Sequence, residues 1–307
     1  VRIVAALGGN ALLQRGQIPD ASVQEANVAA SVDALAPVAL DHQLVLTHGN
    51  GPQVGVLAVQ SASDPHLTTP YPFDVLGAQT QGMIAYWLLQ SLQNHLAHRQ
   101  VAAIINQTLV SAADPAFDDP TKFIGEVYDE ETARALAEER GWTVKADGEH
   151  WRRVVGSPEP LRVVETELIR QLLAGGAVVV CAGGGGVPVI RNEEGQIDGV
   201  EAVVDKDLAS SVLAIALDAE VLLILTDVPC VFRDFATPEQ EAISRATPAS
   251  IRREQLPAGS MGPKVEAACR FVEITGGMAA IGRLEDAVEI LQGTAGTIIT
   301  PTGRFTP

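Results

Sequence analysis

Short apolar runs with little alternation, set between longer amphipathic stretches, limit what this chain can fold into more than any other feature. The runs span residues 2–7, 43–47, 101–105, 177–181, 221–226, 277–281 and 296–300. A strand with one wet face shows period-two patterning, so uninterrupted runs of this length predict strands buried on both sides. Between them, residues 22–39, 77–98, 163–174, 208–218, 263–275 and 284–292 read as amphipathic helices. Strand–helix alternation predicts an α/β fold, a mainly parallel central sheet sandwiched between two helical layers. With 307 residues, the chain can bury one large core or two tightly joined lobes.

Residues 114–160 break the alternation. This stretch is richer in proline, charge and aromatics, with a short helix expected over 129–140 and hairpin material around 142–145 and 151–155. It is expected to be a small subdomain projecting from the sheet.

No run of about 18 uncharged apolar residues occurs, so no segment is expected to span a membrane. The opening run reads as a first strand rather than a secretory h-region. A formal net charge of −17 argues against nucleic acid or anionic membranes as partners, because both require a basic face. It also means that an anionic substrate must be held by a local cluster of cations. Cys181, Cys230 and Cys269 are odd in number and widely spaced, with no CxxC pair. They fit neither a disulfide framework nor a zinc site and suit buried thiols in a reducing cytoplasm.

Of the 21 basic residues only Lys122, Lys145, Lys206 and Lys264 are lysines. Where a solvated positive charge suffices this chain uses arginine. A retained lysine therefore points to places where a compact ammonium works and a planar guanidinium does not.

Glycine-rich turns follow several strands. Leu7-Gly8-Gly9-Asn10 follows the first, and Thr47-His48-Gly49-Asn50-Gly51-Pro52 follows the second and opens a helix near Pro52. Such turns suit either a tight reversal or an oxyanion held by backbone amides and a helix N-terminus. His48 reads as a hydrogen-bonding support rather than a base. Gly183–Gly186 is either a hinge or a place of close ligand approach. Asp205-Lys206-Asp207 opens a helix, where a lysine is unfavourable unless an anion lies nearby; Asp207 is placed to cap the helix or to hold a second lysine. Gly259-Ser260-Met261-Gly262-Pro263-Lys264 is a further glycine turn, with Pro263 at a plausible first helical position and a lysine after it. Thr226 and Asp227 end a buried strand, and Phe232 and Phe235 follow as an aromatic wall for a nucleotide or as core packing.

In this order, LGGNAL, THGNGPQVG, PTKFIGEVY, RRVVGSP, AGGGGVPV, VVDKDLAS, LTDV and SMGPKV resemble the amino acid kinase superfamily and, within it, the carbamate kinases. The resemblance covers essentially the whole chain. It implies the amino acid kinase fold, a homodimer, and reversible Mg²⁺-dependent phosphoryl transfer between carbamoyl phosphate and ADP, giving ATP and carbamate. The implied direction is ATP synthesis in arginine or purine catabolism. It also implies that the N-terminal part binds carbamoyl phosphate and residues from about 205 to 307 bind ADP or ATP. By match to the motifs, Gly8, Gly9, Asn10, Gly49, Asn50 and Gly51 would surround the substrate, and Lys122 on the insert would close over it. Lys206 and Lys264 would hold the transferring group, with Asp207 positioning them. Gly183, Gly184, Thr226, Asp227, Phe232, Phe235, Met261 and Gly262 would line the nucleotide. No side-chain metal ligand is assigned, since Mg²⁺ would travel on the nucleotide.

Two departures stand out. Acetylglutamate-type kinases carry a lysine where this chain has Ala6, a gap that Lys206 would fill. The usual Pro-Phe-Tyr of the insert is Glu126-Val127-Tyr128 here. Alternatives are another kinase of the superfamily, such as an acetylglutamate-type enzyme, or a non-catalytic nucleotide or metabolite sensor on the same fold.

Overall fold

The computed structural model describes residues 1–14, 16–254, 256 and 261–305; the side chains of Asn10 and Glu126, together with Gly259 and Ser260, lie outside that description. The seven expected strands lie in one eight-stranded sheet, which the unforeseen Arg245–Ala246 joins at an edge: β1 (Arg2–Leu7), β2 (Gln43–His48), β3 (Val101–Ala103), β4 (Val178–Val180), β5 (Val221–Thr226), β6 (Arg245–Ala246), β7 (Met278–Arg283) and β8 (Thr297–Ile299). Their spatial order is β6-β8-β7-β5-β1-β2-β4-β3. The six strands from β7 to β3 run parallel, while β8 lies antiparallel to β7 and carries β6 with it at one edge.

Residues 3–7 of β1 are wholly inaccessible, as the lack of alternation predicts. Ile3, Ala5 and Leu7 face a layer built by α1 (Ala21–Asp41), α3 (Phe73–His95) and α9 (Ala287–Leu291), where Leu35, Leu88 and Ile290 meet them. Val4 turns to the other layer, of α5 (Thr166–Ala174), α6 (Lys206–Ala216) and α8 (Met261–Thr275), with Leu173, Leu213 and Phe271. Each strand thus feeds two cores, and the αβα sandwich follows from the sequence of side chains along a single strand.

Pro263 is the third residue of α8, which begins at Met261. The first turn of a helix has no intrahelical acceptor for its N–H groups, so proline is tolerated there as well as at the first position. Residues 163–174 divide differently from the expectation: Arg162–Val163 is a short strand pairing with Gln107–Leu109, and α5 starts at Thr166. These strands belong to a second, four-stranded sheet with Val187–Arg191 and Ile197–Gly199.

The insert folds as a three-stranded antiparallel sheet, Lys122–Tyr128, His150–Val155 and Thr143–Asp147, with α4 (Glu130–Arg140) beside it. Asp129 caps α4 by accepting from Thr132 N, and Gly141 ends it in the left-handed region at φ 68°. Its innermost strand lies against α2 (Gly51–Ser63), where a Cβ on Gly55 would lie 3.5 Å from Gly125 Cα. Among the described residues, no helix is long and apolar enough to cross a membrane. Cys181, Cys230 and Cys269 are buried and free.

Candidate active site

Because the strands of the central sheet run parallel, the turns after β1, β2, β4 and β5 emerge at one edge, the usual place for a ligand in an open α/β sheet. A cavity of about 830 Å³ opens there. Gly9, Gly49, Asn50, Gly51 and Gly184 line it from the body, Lys206, Asp207 and Lys264 from α6 and α8, and Lys122 from the insert. A smaller cavity of about 90 Å³ is lined by Thr226, Asp227, Cys230, Phe232, Phe235 and Met261. Lys264 is on the wall of both.

The helix that carries Lys206 starts where it does because Asp205 caps it. One oxygen of Asp205 accepts from the backbone N–H groups of Asp207 and Leu208. That leaves Asp207 for its other expected role. It is 3 % exposed and takes Lys206 Nζ at 2.5 Å on one oxygen and Lys264 Nζ at 2.9 Å on the other. The two helices are fixed against each other by contacts such as Ser211 Oγ donating to Ala267 O at 2.9 Å. Burial alone would push the Asp207 carboxyl up, but the two ammonium groups outweigh it and hold it down at about 2. Burial pushes the Lys206 ammonium down; Asp207 opposes the shift and Lys264 adds to it.

The glycine turns are arranged differently from a simple ring of amides. Gly8 N–H donates to Leu225 O at 2.9 Å and Gly49 N–H to Leu7 O at 3.0 Å, so these two donors are committed to the sheet. What they provide is closeness: a Cβ on Gly49 would fall 2.9 Å from Gly9 N. The start of α2 lines the cavity with Gly51, Pro52 and Val54. Its N-cap, Asn50, does not cap the helix and instead donates its side-chain N–H to Thr80 Oγ1 at 2.9 Å. A thirteen-residue helix therefore starts without a side-chain cap on the wall of the cavity that the lysine pair also lines.

His48 is fully buried and its Nδ1 lies 3.0 Å from Gly49 O. Burial lowers its pKa to about 4, so near neutral pH the ring is uncharged, as a support rather than a base would be. Gly183 sits over His48, and Gly184, at φ 62°, over the Asn50 amide. Any side chain at Gly184 would overlap Asn50, which is the physical need for glycine there. Gly183 and Gly184 thus stand on the side of the β1 and β2 turns, because β4 pairs with β2 and lies away from β5. The structure does not bring them to the smaller cavity with Thr226 and Asp227.

Phe232 and Phe235 do reach that cavity, with ring centroids 6.1 Å apart. Gly262 follows Met261 in the first turn of α8. Asn10 is in a short 3-10 turn, Gly9–Ala11, and its side chain lies outside the described residues. On the insert, Lys122 Nζ lies 3.3 Å from Asp205 Oδ2. Arg152 also lines the larger cavity; sequence reasoning did not single out Arg152 or Asp205. The RRVVGSP stretch held a signal for Arg152, and the cap position before Lys206 held one for Asp205.

The arrangement can hold two anions on either side of one ammonium and shield the charge passing between them, which is the requirement of group transfer between phosphorylated compounds. The fold and this site define a member of the amino acid kinase family: the chain belongs to it, with the model of the Amino acid kinase family matching residues 1–281. The chain is 50 % identical over 304 residues to the carbamate kinase of Rhizobium meliloti, covering 98 % of this chain and 93 % of that one. It is 46 % identical to the carbamate kinase of Pyrococcus horikoshii, with 98 % and 99 % covered. Among solved structures, carbamate kinase from Giardia lamblia bound to AMP-PNP superposes with a TM-score of 0.90 at 37 % identity, covering 97 % of this chain and 98 % of that one.

Proposed function

We infer that this chain is a carbamate kinase, moving a phosphoryl group between carbamoyl phosphate and ADP. Relatives named carbamate kinase at 46–50 % identity over nearly the whole chain support this above an acetylglutamate-type kinase or a non-catalytic sensor. The observation that carries the mechanism is Lys264 on the wall of both cavities, locked with Lys206 onto Asp207.

In this reading carbamoyl phosphate occupies the larger cavity, among Gly8, Gly9, Asn10, Gly49, Asn50 and Gly51, with Lys122 closing over it. Residues from about 205 onward bind the nucleotide, whose base lies toward Thr226, Asp227, Phe232, Phe235, Met261 and Gly262. The insert over 114–160 acts as the lid. The bond from phosphorus to the carbamoyl oxygen breaks, and a bond to the terminal oxygen of ADP forms. Carbamate leaves as an anion and, on taking up a proton from water, decomposes to ammonia and CO₂. No proton need be removed from either partner, so an uncharged His48 is no obstacle.

Lys206 and Lys264 meet the charge on the equatorial oxygens, and each well-placed donor is worth about 10²–10³ in rate, by the scale of oxyanion-hole deletions. A magnesium-class ion would be held mainly by the nucleotide phosphates and water, as such ions commonly are, with no side-chain ligand assigned to it. Such an ion neutralises phosphate charge during transfer. The enzyme is proposed to work as a cytoplasmic homodimer, its three buried thiols suiting a reducing compartment.

A coupled assay tests the reading. Carbamoyl phosphate and ADP should yield ATP when Mg²⁺ is present and not when it is chelated, and acetylglutamate should not be phosphorylated by ATP. Turnover without a divalent ion, or preference for acetylglutamate, would sink it.

A further inference from the structure

A small apolar cluster joins Ile124 and Val155 of the insert to Val54, Phe73 and Leu76 of the body. Beside it a cavity of about 210 Å³ separates the insert from α2. At the edge of this gap stands Arg153, with its side chain 17 % exposed. Its guanidinium lies 4.8 Å from the ring centroid of Phe73, at the start of α3, and 4.6 Å from that of Trp142, within the insert. One Nη donates to Glu201 Oε1 at 2.6 Å, and Nε is buried with no hydrogen-bond partner among the described residues.

A guanidinium with an unmet donor in such a place costs stability unless the contacts around it matter. Here the two rings and one carboxylate compensate. Those contacts come from separate parts of the molecule: the body, the insert, and the segment that leads into α6.

That last segment is the reason Arg153 bears on the chemistry. From Glu201 to Asp205 the chain runs beside the insert's exit strand. Gly156 bridges Ala202, and Val203 N–H donates to Gly156 O at 3.0 Å. At the far end Lys122, whose strand pairs through Val155, reaches Asp205. Arg153–Glu201 and Lys122–Asp205 are thus the two ends of one seam between insert and body, and the seam stops at Lys206.

We propose that Arg153 is a positioning residue for phosphoryl transfer: by seating the insert on Phe73 and Glu201 it sets the reach of Lys122 into the larger cavity and ties that reach to the start of α6. This rests on the carbamate kinase reading. Lysine does not replace it, because an ammonium keeps the charge toward Glu201 but loses the planar stack on two rings.

The test is steady-state kinetics of Arg153→Met, Arg153→Lys and Glu201→Gln, each in wild-type and Lys122→Ala backgrounds, with ADP affinity by calorimetry. Arg153→Met should raise KM for carbamoyl phosphate about 5- to 10-fold, no more than Lys122→Ala does, while ADP affinity stays within about twofold. Arg153→Lys should recover only part of that loss, and Glu201→Gln should raise KM in the same direction by less. In the Lys122→Ala background the added effect of Arg153→Met should shrink to below about twofold, since two residues acting through one contact are not additive.

An unchanged KM in Arg153→Met would overturn the proposal, as would equal fold losses in both backgrounds or parallel losses for both substrates. Should Arg153→Met fail to fold, a silent Glu201→Gln overturns it instead. Wild-type protein that makes no ATP from carbamoyl phosphate and ADP overturns the functional reading together with this one, whereas an active wild type with silent variants overturns this one alone.

Discussion

The larger cavity has two kinds of lysine. Lys206 and Lys264 belong to the body, with side chains 12 % and 16 % exposed, and share the buried carboxylate of Asp207. Lys122 belongs to the insert, is 41 % exposed, and meets Asp205 at 3.3 Å, a longer contact to a carboxylate already used as a helix cap. In the body, the cost of burying charge has been met before any substrate arrives, and the geometry is set by two packed helices. On the insert, the ammonium itself is exposed to water, and its single longer contact to Asp205 is one that an incoming anion can replace. Under the proposed function, the difference separates a preorganised surface suited to the transition state from an exchangeable arm suited to capture.

The sharpest way to break this comparison is to keep charge while changing its shape. Lys206→Arg and Lys264→Arg should each lower kcat at least about 10²-fold, a loss of roughly 2.7 kcal/mol, with the fold intact, because a guanidinium cannot place a point charge within this enclosure. Lys145→Arg is the control: Lys145 pairs with Asp119 on the insert and should change little. Near-normal kcat in the first two variants would make the body lysines no different from a surface charge.

Acid titration sharpens the same side. Asp207 is held at about 2, below its unfolded value, so the stability it contributes is present above the ordinary carboxylate range and lost as pH falls from about 4 toward 2. On the order of 2 kcal/mol is at stake. Denaturant unfolding of wild type and Asp207→Asn across that interval should show the gap between them closing. A constant gap would mean that the carboxylate is not held by the lysines.

The smallest expected effect is on the arm. Lys122→Ala should raise KM for carbamoyl phosphate by about 10-fold and leave ADP affinity nearly unchanged, as read by kinetics and calorimetry side by side. Equal loss at both ends would show that the arm is part of the same fixed surface as Lys206.

The central sheet was legible because strands buried on both faces leave unbroken apolar runs, and 221–226 matches β5 residue for residue. The lysine pair was legible for a chemical reason, the scarcity of lysine in an arginine-rich chain. The second sheet was not. Gln107–Leu109 and Arg162–Val163 are two or three residues long, too short for a period, and each exists only because a distant segment supplies its hydrogen bonds. Gly8 and Gly49 were readable as tight turns or as amides for an oxyanion, but the direction of their N–H groups depends on the neighbouring strand ends. Asp205 escaped notice because one carboxylate serves both as helix cap and as partner to a lysine 83 residues away.

Lys264, on the wall of both cavities, has a thermodynamic consequence. An anion settling at either end draws on the same ammonium and alters the field felt at the other. Each substrate therefore changes the affinity of its partner, and reciprocity requires the two changes to be the same factor. With the substrates placed as proposed, cooperation or antagonism between carbamoyl phosphate and ADP would be built into one side chain, without any movement of the sheet.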